Sequence, residues 1–173
     1  MKATTEIRWL DDREQAVWRA YLHLTVLVNE QLERQLQRDA AMPMSYYLVL
    51  AMLSEAPDRT LRMQQLAQLL RVSQSRTSHA ISRIEEKGWV RRRPSSCDGR
   101  GTEVQLTDDG FTRLVAMAPD HVEAVRRVLF DALSPTQVTQ LGAICDTVLR
   151  RLDDSCGGPR PSSAVTDLGE GVG

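Results

Sequence analysis

Four arginines lie within ten residues of one another, around a loop that also contains proline and glycine. In the stretch RRRPSSCDGRGTEV, residues 91–104, three consecutive arginines precede Pro94, and Arg100 is flanked by glycine on both sides. A guanidinium group pairs bidentately with phosphate oxygens and with the edge of guanine. An arginine between two glycines can also approach a narrow minor groove, where negative potential is concentrated. The loop therefore favours recognition of a polyanion.

The charge of the chain is unevenly distributed. The 173 residues include 22 lysines and arginines and 23 aspartates and glutamates, for a net charge of −1. Residues 71–100 contain eight of the basic residues and three of the acidic ones, so this segment carries +5 and the remainder −6. A basic patch on an otherwise acidic molecule is typical of a polyanion-binding protein. A solvated charged face is the alternative interpretation of the same pattern.

The residues before the arginines are predicted to form a helix over 74–87. Ser73 is a suitable N-cap and Gly88 a stop signal. A rotation of about 100° per residue puts Thr77, Ala80, Ile81 and Ile84 on the inner side and leaves a small, hydroxyl-bearing and basic outer face, which includes Ser82. We expect Ser75, Arg76 and His79 to contact base edges, Arg83 to contact phosphate, and Gln74 and Ser78 to contact the nucleic-acid backbone. A merely solvated helix face remains the alternative.

Two short strands are predicted on either side of the arginine-rich loop, over residues 89–93 and 102–106. Alternation in the second strand puts Val104 and Leu106 on one face and the intervening polar residues on the other. The three arginines of the first strand also alternate, so at most two share a face, and we expect them to contact phosphate. Arg100 is expected to enter the minor groove, with Asp98 as a local orienting group. The candidate DNA-binding residues of this hairpin are Arg91, Arg93, Asp98 and Arg100.

The elements around this hairpin are predicted to be mainly helical. Residues 63–70 form a short helix that is joined to 74–87 by a tight turn, so helix, turn, helix and hairpin make a winged helix-turn-helix. Before this unit we predict a helix from Asp12 to about Ala40, a helix over 45–53 capped by Ser45, and a very short strand at Leu61. After it we predict a helix from Thr107 to about Ala132 with a kink near Pro119. A last helix is predicted from a capping box at Ser134 and Gln137 to about Leu152.

The first long helix carries two apolar stripes. One stripe runs through Trp18, Leu22, Leu32 and Leu36, and a second contains Val17, Tyr21, Leu24 and Val28. A helix that is apolar on two sides is buried on two sides. Because a small protein rarely has core on both sides of one helix, we expect a homodimer.

The predicted fold class is mainly α with a small two- to three-stranded β-wing, a winged helix-turn-helix embedded in an α-helical dimerisation region. We expect residues 1–173 to form a single domain. Within it, residues 45–106 form a winged-helix lobe, residues 6–40 and 107–154 form a helical region, and residues 155–173 form a disordered tail rich in Gly, Pro and Ser.

Composition argues against several other classes of protein. Apolar stretches are short and no signal sequence is recognisable, so we expect a cytoplasmic location without membrane insertion. The three cysteines, Cys97, Cys145 and Cys156, are widely spaced, which fits a reducing compartment. Cys97 could be redox-active in a basic loop or an incidental loop residue. No catalytic constellation, cofactor motif or metal-ligand spacing is recognisable, so we expect no enzyme activity, no cofactor and no metal.

The segment LRMQQLAQLLRVSQSRTSHAISRIEEKGWVRRRPSSCDGRGTEVQLTDDG, residues 61–110, resembles the DNA-binding core of the MarR family of transcription regulators. The most specific element is Asp98, one residue, Arg100, and a strand ending in Leu106 and Thr107. The resemblance extends over about residues 6–154. It implies a sequence-specific homodimeric regulator, expected to be a repressor, with two recognition helices and two wings on a pseudo-palindromic operator of double-stranded DNA. Arg71 departs from the family pattern, in which many members have glycine in the turn; it adds a candidate phosphate contact.

The resemblance also implies a small aromatic or anionic ligand, which would bind between the helical region and the winged-helix lobe and release the DNA. The residues that could line such a pocket are Trp18, His23, Tyr46, Tyr47 and Phe111, although the interpretation that we favour is that these large side chains simply fill the core. The alternative function is a winged-helix protein-interaction module, in which the basic surface binds an acidic protein without binding DNA.

Overall fold

The computed structural model describes residues 7–95 and 101–156. Within these ranges the chain forms six α-helices and a three-stranded antiparallel sheet, as the predicted fold class requires. Short 3₁₀ turns at Pro57–Arg59 and Phe130–Ala132 complete the connections. The elements are α1 (Asp12–Ala40), α2 (Met44–Ser54), β1 (Thr60–Arg62), α3 (Met63–Leu70), α4 (Gln74–Glu86), β2 (Val90–Pro94), β3 (Thr102–Leu106), α5 (Asp108–Val128) and α6 (Pro135–Cys156).

The core of the winged-helix lobe lies between the sheet and helices α2, α3 and α4. The strand order is β1-β3-β2, and Val104 in the central strand is paired with Leu61 on one side and Arg92 on the other. Val104 and Leu106 are buried, which confirms the predicted alternation. The buried side chains that fill this core are Val49, Leu50, Leu53, Leu66, Ile81, Ile84, Val90, Val104 and Leu106.

The turn between α3 and α4 is closed by the backbone. The amide of Arg71 donates to the carbonyl of Gln68 over 3.1 Å, and the amide of Val72 donates to Ala67 over 3.2 Å. Arg71 has a φ of 54°, in the left-handed region where glycine is favoured. Ser73 then caps α4 as predicted, because its hydroxyl accepts from the amide of Arg76 over 3.3 Å. The arginine therefore adopts the conformation for which a glycine would be suited.

The base of the hairpin is fixed between the end of α4 and the start of α5. Gly88 has a φ of 75° and ends α4, as its position predicts. The hydroxyl of Thr107 donates to the carbonyl of Gly88 over 2.7 Å and accepts from the amide of Gly110 over 3.0 Å. A Cβ at Gly110 would lie 2.1 Å from the carbonyl oxygen of Trp89. The start of α5 therefore packs directly against the base of the hairpin.

Several details differ from the sequence-based expectations. Helix α6 continues to Cys156, beyond its predicted end near Leu152 and two residues into the predicted tail, whose remaining residues, 157–173, lie outside the described ranges. Ser45 does not cap α2; Pro43 precedes the helix, and the amide of Met44 donates to Glu33 Oε2 of α1 over 2.9 Å. An acid from another helix thus replaces the local cap. The first wing strand covers Val90–Pro94, one residue later than predicted. Helix α5 ends at Val128, so the predicted end near Ala132 lies in a separate 3₁₀ turn.

The winged-helix lobe meets the helical region in a polar seam that joins α1, α2 and α5. His121 Nδ1 lies 3.1 Å from Gln35 Oε1, and Gln35 Nε2 donates to Asp39 Oδ2 over 3.1 Å. The His121 ring packs on Tyr47 with the ring centroids 4.2 Å apart. Burial lowers the pKa of His121, and the hydrogen bond from Gln35 lowers the pKa of Asp39. Nearby, Arg113 Nη2 donates to the carbonyl of Ala40 over 2.7 Å, at the end of α1.

Helices α1 and α6 expose many large apolar side chains to solvent. On α1 they include the N-terminal members of both predicted stripes together with Val26 and Leu27, whereas Leu36 at the end of the first stripe is buried in the same chain. On α6 they recur every three or four residues. We call this set the open apolar surface. None of the helices in the described ranges has the length and apolar character that a bilayer crossing requires. The members of the open apolar surface are Val17, Trp18, Tyr21, Leu22, Leu24, Val26 and Leu27 on α1 and Ile144, Val148, Leu149 and Leu152 on α6.

Candidate nucleic-acid interface

The outer face of α4 is formed by side chains that can contact nucleic acid. Its inner face is anchored by Thr77, Ile81 and Ile84, none of which has accessible surface. This anchoring fixes the rotation of the helix, so the predicted outer residues point away from the core. The predicted set divides into Gln74, Ser75, Arg76, His79 and Arg83, which are exposed, and Ser78, which is partly buried.

Arg83 and Ser82 differ in how they are engaged. Arg83 Nη1 pairs with Glu86 Oε2 over 3.3 Å, and both side chains are more than half exposed. A surface pair of this kind contributes little to stability, so Arg83 can turn toward a phosphate at small cost. Ser82 was expected on the outer face, but its hydroxyl accepts a hydrogen bond from Arg92 instead and is partly buried. That expectation was wrong, because a wing arginine packs against this part of α4.

Arg91 and Arg93 share the outer face of the sheet, as the alternation predicts. Arg91 Nε and Nη2 donate to Gln105 Oε1 over 2.8 and 2.6 Å. Arg93 Nε lies 3.3 Å from Glu103 Oε2. Glu103 itself is buried, although the alternation had placed it on a polar face, because Arg93 and Ser95 cover it. The sheet thus presents two arginines on its outer face: Arg91 bonds to the neutral Gln105, and Arg93 pairs with the buried acid Glu103.

Arg92 lies on the opposite face of β2 and points toward α4. Its Nη2 donates to the carbonyl of Ser78 and to the hydroxyl of Ser82, both over 2.7 Å. Its backbone amide donates to Glu85 Oε1 over 2.8 Å, and its Nη1 lies 3.6 Å from Glu85 Oε2. Sequence reasoning assigned Arg92 to phosphate with its neighbours. The signal that distinguishes it is its register, because Arg92 is in phase with the buried Val90 and opposite Val104.

The tip of the hairpin is the part of the predicted interface that lies outside the described residues. This part includes Cys97, Asp98 and Arg100, so the roles assigned to them remain predictions. The ladder continues past the strands as far as Ser95, whose amide donates to the carbonyl of Gly101 over 2.8 Å. The described part of the hairpin is therefore paired as far as Ser95 and Gly101.

The five residues predicted to line a ligand pocket occupy different places in one subunit. Trp18 stacks on Tyr21 with the ring centroids 6.0 Å apart, and His23 is exposed on α1. Tyr47 packs on His121, and Phe111 lies under the guanidinium of Arg59 at 3.7 Å. Tyr46 lines an open, mainly apolar groove of about 660 Å³ between α2 and α4, which Leu48, Val72, Arg76 and His79 also line. Sequence reasoning missed Leu48 and Val72, because nothing local distinguishes them from core residues.

Comparison with known proteins gives matches over most of the chain. A family model described as the MarR family matches residues 42–101. The structure of Sco3205, a MarR family transcriptional regulator from Streptomyces coelicolor in complex with DNA, superposes with a TM-score of 0.83; it is 45% identical, and the match covers 91% of this chain and 98% of that one. AbsC, a MarR family transcriptional regulator from the same organism, gives a TM-score of 0.80 at 37% identity, over 86% of this chain and 99% of AbsC.

Curated relatives are matched over shorter stretches. The HTH-type transcriptional regulator PecS of Dickeya dadantii is 33% identical over 88 residues, which are 51% of this chain and 52% of PecS. The transcriptional repressor MprA of Escherichia coli is 29% identical over 107 residues, 62% of this chain and 60% of MprA. The chain thus spans about half to three fifths of the length of these relatives.

Proposed function

Because the chain belongs to the MarR family of transcriptional regulators, we propose that it represses transcription by binding a pseudo-palindromic site in double-stranded DNA as a homodimer. The observation that carries this proposal is the outer face of α4. There Ser75, Arg76 and His79 are exposed on a helix whose other side is fixed in the core. A relative that is 45% identical was solved in complex with DNA, which supports the same use of this surface here.

The shape of the winged-helix lobe matches two adjacent grooves of a duplex. A helix of the size of α4 fits the major groove, where arginine reads guanine and Ser or His contacts a range of base edges. The hairpin beside it would bring Arg100 to the minor groove, and Arg91 and Arg93 to phosphates. With one such lobe per subunit, half-sites about 10 base pairs apart would be occupied by one dimer.

The open apolar surface supports the homodimer. Trp18 and Tyr21 are each more than half exposed on α1, and Ile144 is 61% exposed on α6. Apolar side chains clustered in this way mark an interaction surface, and a second copy of the chain offers the same pattern. Pairing through α1 and α6 would leave both α4 helices free for DNA.

We also propose that a small aromatic anion releases the DNA. The groove between α2 and α4 supports this, because it offers the apolar side chains of Leu48 and Val72 next to the basic Arg76 and His79. A ligand there would engage side chains proposed to read bases, so it would bind the DNA-free form better than the DNA-bound one. Benzoate at millimolar concentration is expected to weaken operator binding, and Tyr46→Ala to reduce that effect. If benzoate leaves the affinity unchanged, this part of the proposal is wrong while DNA binding stands.

Selection of bound fragments from genomic DNA tests DNA binding directly and supplies the operator. Fluorescence anisotropy on that operator is then expected to show a fall of log affinity with log salt of about −0.9 per phosphate contact. Arg76→Ala is expected to cost about 1–3 kcal/mol on the operator and little on random DNA. An equal loss on both would make Arg76 a phosphate contact.

Arg34→Ala provides the matched control for Arg76→Ala. Arg34 is an exposed arginine that pairs with Glu30 on α1, outside the winged-helix lobe, so operator affinity is expected to stay at the wild-type value. Failure of the wild-type protein to bind any duplex at low salt would contradict the proposal. Binding to an acidic protein under the same conditions would then favour the protein-interaction module.

A further inference from the structure

Arg92 differs from the neighbouring arginines in the element that it contacts. Arg91 and Arg93 bond to residues of the sheet itself, on the outer face. Arg92 reaches across to α4. Its guanidinium donates hydrogen bonds to Ser78 and Ser82 and pairs with the carboxylate of Glu85, which also accepts from the Arg92 backbone amide. These three residues span two turns of α4. Arg92 therefore links the hairpin to the C-terminal two turns of α4.

The contacts of Arg92 are of the strong and directional kind. Bonds from a guanidinium are charge-assisted, and its planar fork is pre-organised, so little freedom is lost for each bond that forms. Arg92 Nη2 donates to the carbonyl oxygen of Ser78 and to the hydroxyl oxygen of Ser82, at 2.7 Å each. The Glu85 carboxylate accepts from the backbone amide of Arg92 and also lies next to the Arg92 guanidinium. The Arg92 side chain is 30% exposed and that of Glu85 35%, so water only partly competes for them.

Besides the pairing of β3 with β1, two attachment points set the direction of the hairpin relative to α4. The first point is its base, where the amide of Trp89 donates to the carbonyl of Ile84 over 3.2 Å and Val90 is buried in the core. Arg92 adds a point two residues farther along β2. At about 3.3 Å per residue, Ser95 lies roughly 16 Å beyond Val90, so a rotation of about 10° at the base would move it by about 3 Å. A displacement of that size exceeds the tolerance of a hydrogen bond.

We propose that Arg92 is a positioning residue for DNA binding: by joining β2 to Ser78, Ser82 and Glu85, it sets the angle between α4 and the hairpin that carries the tip to the minor groove. This inference rests on the proposed function. Arg92 acts through Glu85 and the two serines and makes no contact with DNA itself. The alternative role, a direct phosphate contact, predicts the opposite behaviour for its acidic partner.

The two acids at the end of α4 give a test in which the sign of the effect decides. Glu85→Ala and Glu86→Ala each remove one negative charge from the same turn, so simple electrostatics predicts equal or tighter DNA binding for both. If Arg92 is a positioning residue, Glu85→Ala instead weakens operator binding by about 3- to 30-fold. Glu86→Ala, which only frees Arg83, binds as tightly as wild type or more tightly. Equal changes in the two variants would overturn the inference.

Variants of Arg92 separate positioning from folding and from phosphate contact. Arg92→Met is expected to remove minor-groove protection next to each half-site in a hydroxyl-radical footprint, while protection of guanine N7 in the major groove persists. Arg92→Lys restores part of the affinity, because an ammonium group can still reach Glu85. All variants are measured well below their melting temperatures, so that a loss of folded protein does not enter.

The remaining outcomes are distinguishable. In a double-mutant cycle, Arg92→Met and Glu85→Ala are expected to be non-additive, since each removes the same link. Additive losses, together with a salt slope that is smaller by about 0.9 in Arg92→Met alone, would identify Arg92 as a phosphate contact and overturn the inference. If wild type binds DNA and Glu85→Ala binds it with the same affinity, only this inference fails. If wild type binds no DNA, the proposed function fails with it.

Discussion

The winged-helix lobe and the helical region differ in how completely each buries its apolar side chains. In the lobe, Leu50, Leu66 and Ile81 have no accessible surface. On the open apolar surface, side chains of similar size remain exposed, with values of 51% for Trp18 and 61% for Ile144. Burying apolar surface is favourable by about 25 cal/mol per square ångström, so covering the open apolar surface would provide a large driving force for association.

The comparison shows that the same periodic signal in a sequence has two structural meanings. In α4 the apolar residues are buried in the core of the same chain, so folding of this chain alone covers them. On the open apolar surface of α1 and α6 they face solvent, so they are available to contact another molecule. Substitutions in the winged-helix lobe should therefore change folding, whereas substitutions on the open apolar surface should change assembly and, through it, DNA binding.

The largest effect is expected from placing charge on the open apolar surface. Ile144 and Val148 lie four residues apart on one side of α6, and both are more than half exposed. Replacing both with Asp is expected to give a monomer by light scattering at micromolar concentration. Loss of the second lobe would lower operator affinity by about 10²- to 10⁴-fold. A dimer that persists in this variant would show that α6 does not contribute to the interface.

Thr139→Asp is the control for this variant. Thr139 lies on the other side of α6, since it is five residues before Ile144 and nine before Val148 at about 100° per residue. It is exposed, and its hydroxyl donates to the carbonyl of Pro135 over 3.1 Å. The control is expected to stay dimeric and to bind DNA like wild type. A monomer in both variants would indicate that charge anywhere on α6 unfolds the helix.

A core substitution in the lobe is expected to have the opposite pattern. Ile81 is fully buried on the inner side of α4, so Ile81→Ala should lower the free energy of unfolding by about 2–5 kcal/mol. The variant should remain a dimer, because Ile81 is buried in the core of the winged-helix lobe and is not part of the open apolar surface. Urea unfolding and light scattering on the same samples measure both quantities. Dissociation to folded monomers in Ile81→Ala would break the proposed division between the two regions.

The seam between the regions is expected to respond to pH. Burial lowers the pKa of His121 below its usual range, so between that usual value and the lowered one the unfolded chain binds a proton that the folded chain does not. The free energy of unfolding should therefore fall as the pH is lowered through about 6.5, by at most about 1.4 kcal/mol per pH unit for this one group. Urea titrations between pH 7.5 and 5.5 measure the slope.

Two variants assign that slope to His121. His121→Gln can keep a hydrogen bond to Gln35, whereas His121→Phe keeps a ring against Tyr47. The two should differ in stability at pH 7.5, but both should show a flatter pH dependence than wild type. If either variant loses stability on acidification as steeply as wild type does, the titrating group lies elsewhere in the molecule.

Features that depend on short stretches of chain could be predicted from the sequence. The span of α1, the cap of α4 at Ser73, the end of α4 at Gly88 and the capping box at Ser134 all follow from residues a few positions apart. The exposure of Arg76 and His79 also follows from local geometry, since helical rotation relative to Ile81 and Ile84 determines it. These features needed no knowledge of tertiary contacts.

Features that depend on tertiary contacts could not be predicted in the same way. The start of α2 is satisfied by Glu33, eleven residues earlier in the chain, so the local candidate Ser45 was wrong. The burial of Glu103 and the link from Arg92 to α4 both require the register of the sheet and its distance from the helix. The five predicted ligand residues are similar in type, but side-chain type gives no distance between elements.

The smallest expected effect concerns backbone strain within the lobe itself. Arg71 is held at a φ of 54°, a conformation that costs about 1–2 kcal/mol for a residue with a Cβ and little for glycine. Replacing Arg71 with glycine would remove this strain, but part of the gain in stability is offset because glycine has more freedom in the unfolded chain. Arg71→Gly is therefore expected to raise the free energy of unfolding by about 0.5–1 kcal/mol.

Arg71→Ala separates this backbone effect from the charge, because it removes the guanidinium and keeps the Cβ. If Arg71 contacts phosphate, both variants should lower the salt slope of operator binding by about 0.9, while only the glycine variant gains stability. Equal stability of the two variants would mean that the strain at this turn is no larger than the entropy that glycine adds to the unfolded chain. An arginine in place of glycine at this turn would then leave the free energy of unfolding of the lobe unchanged.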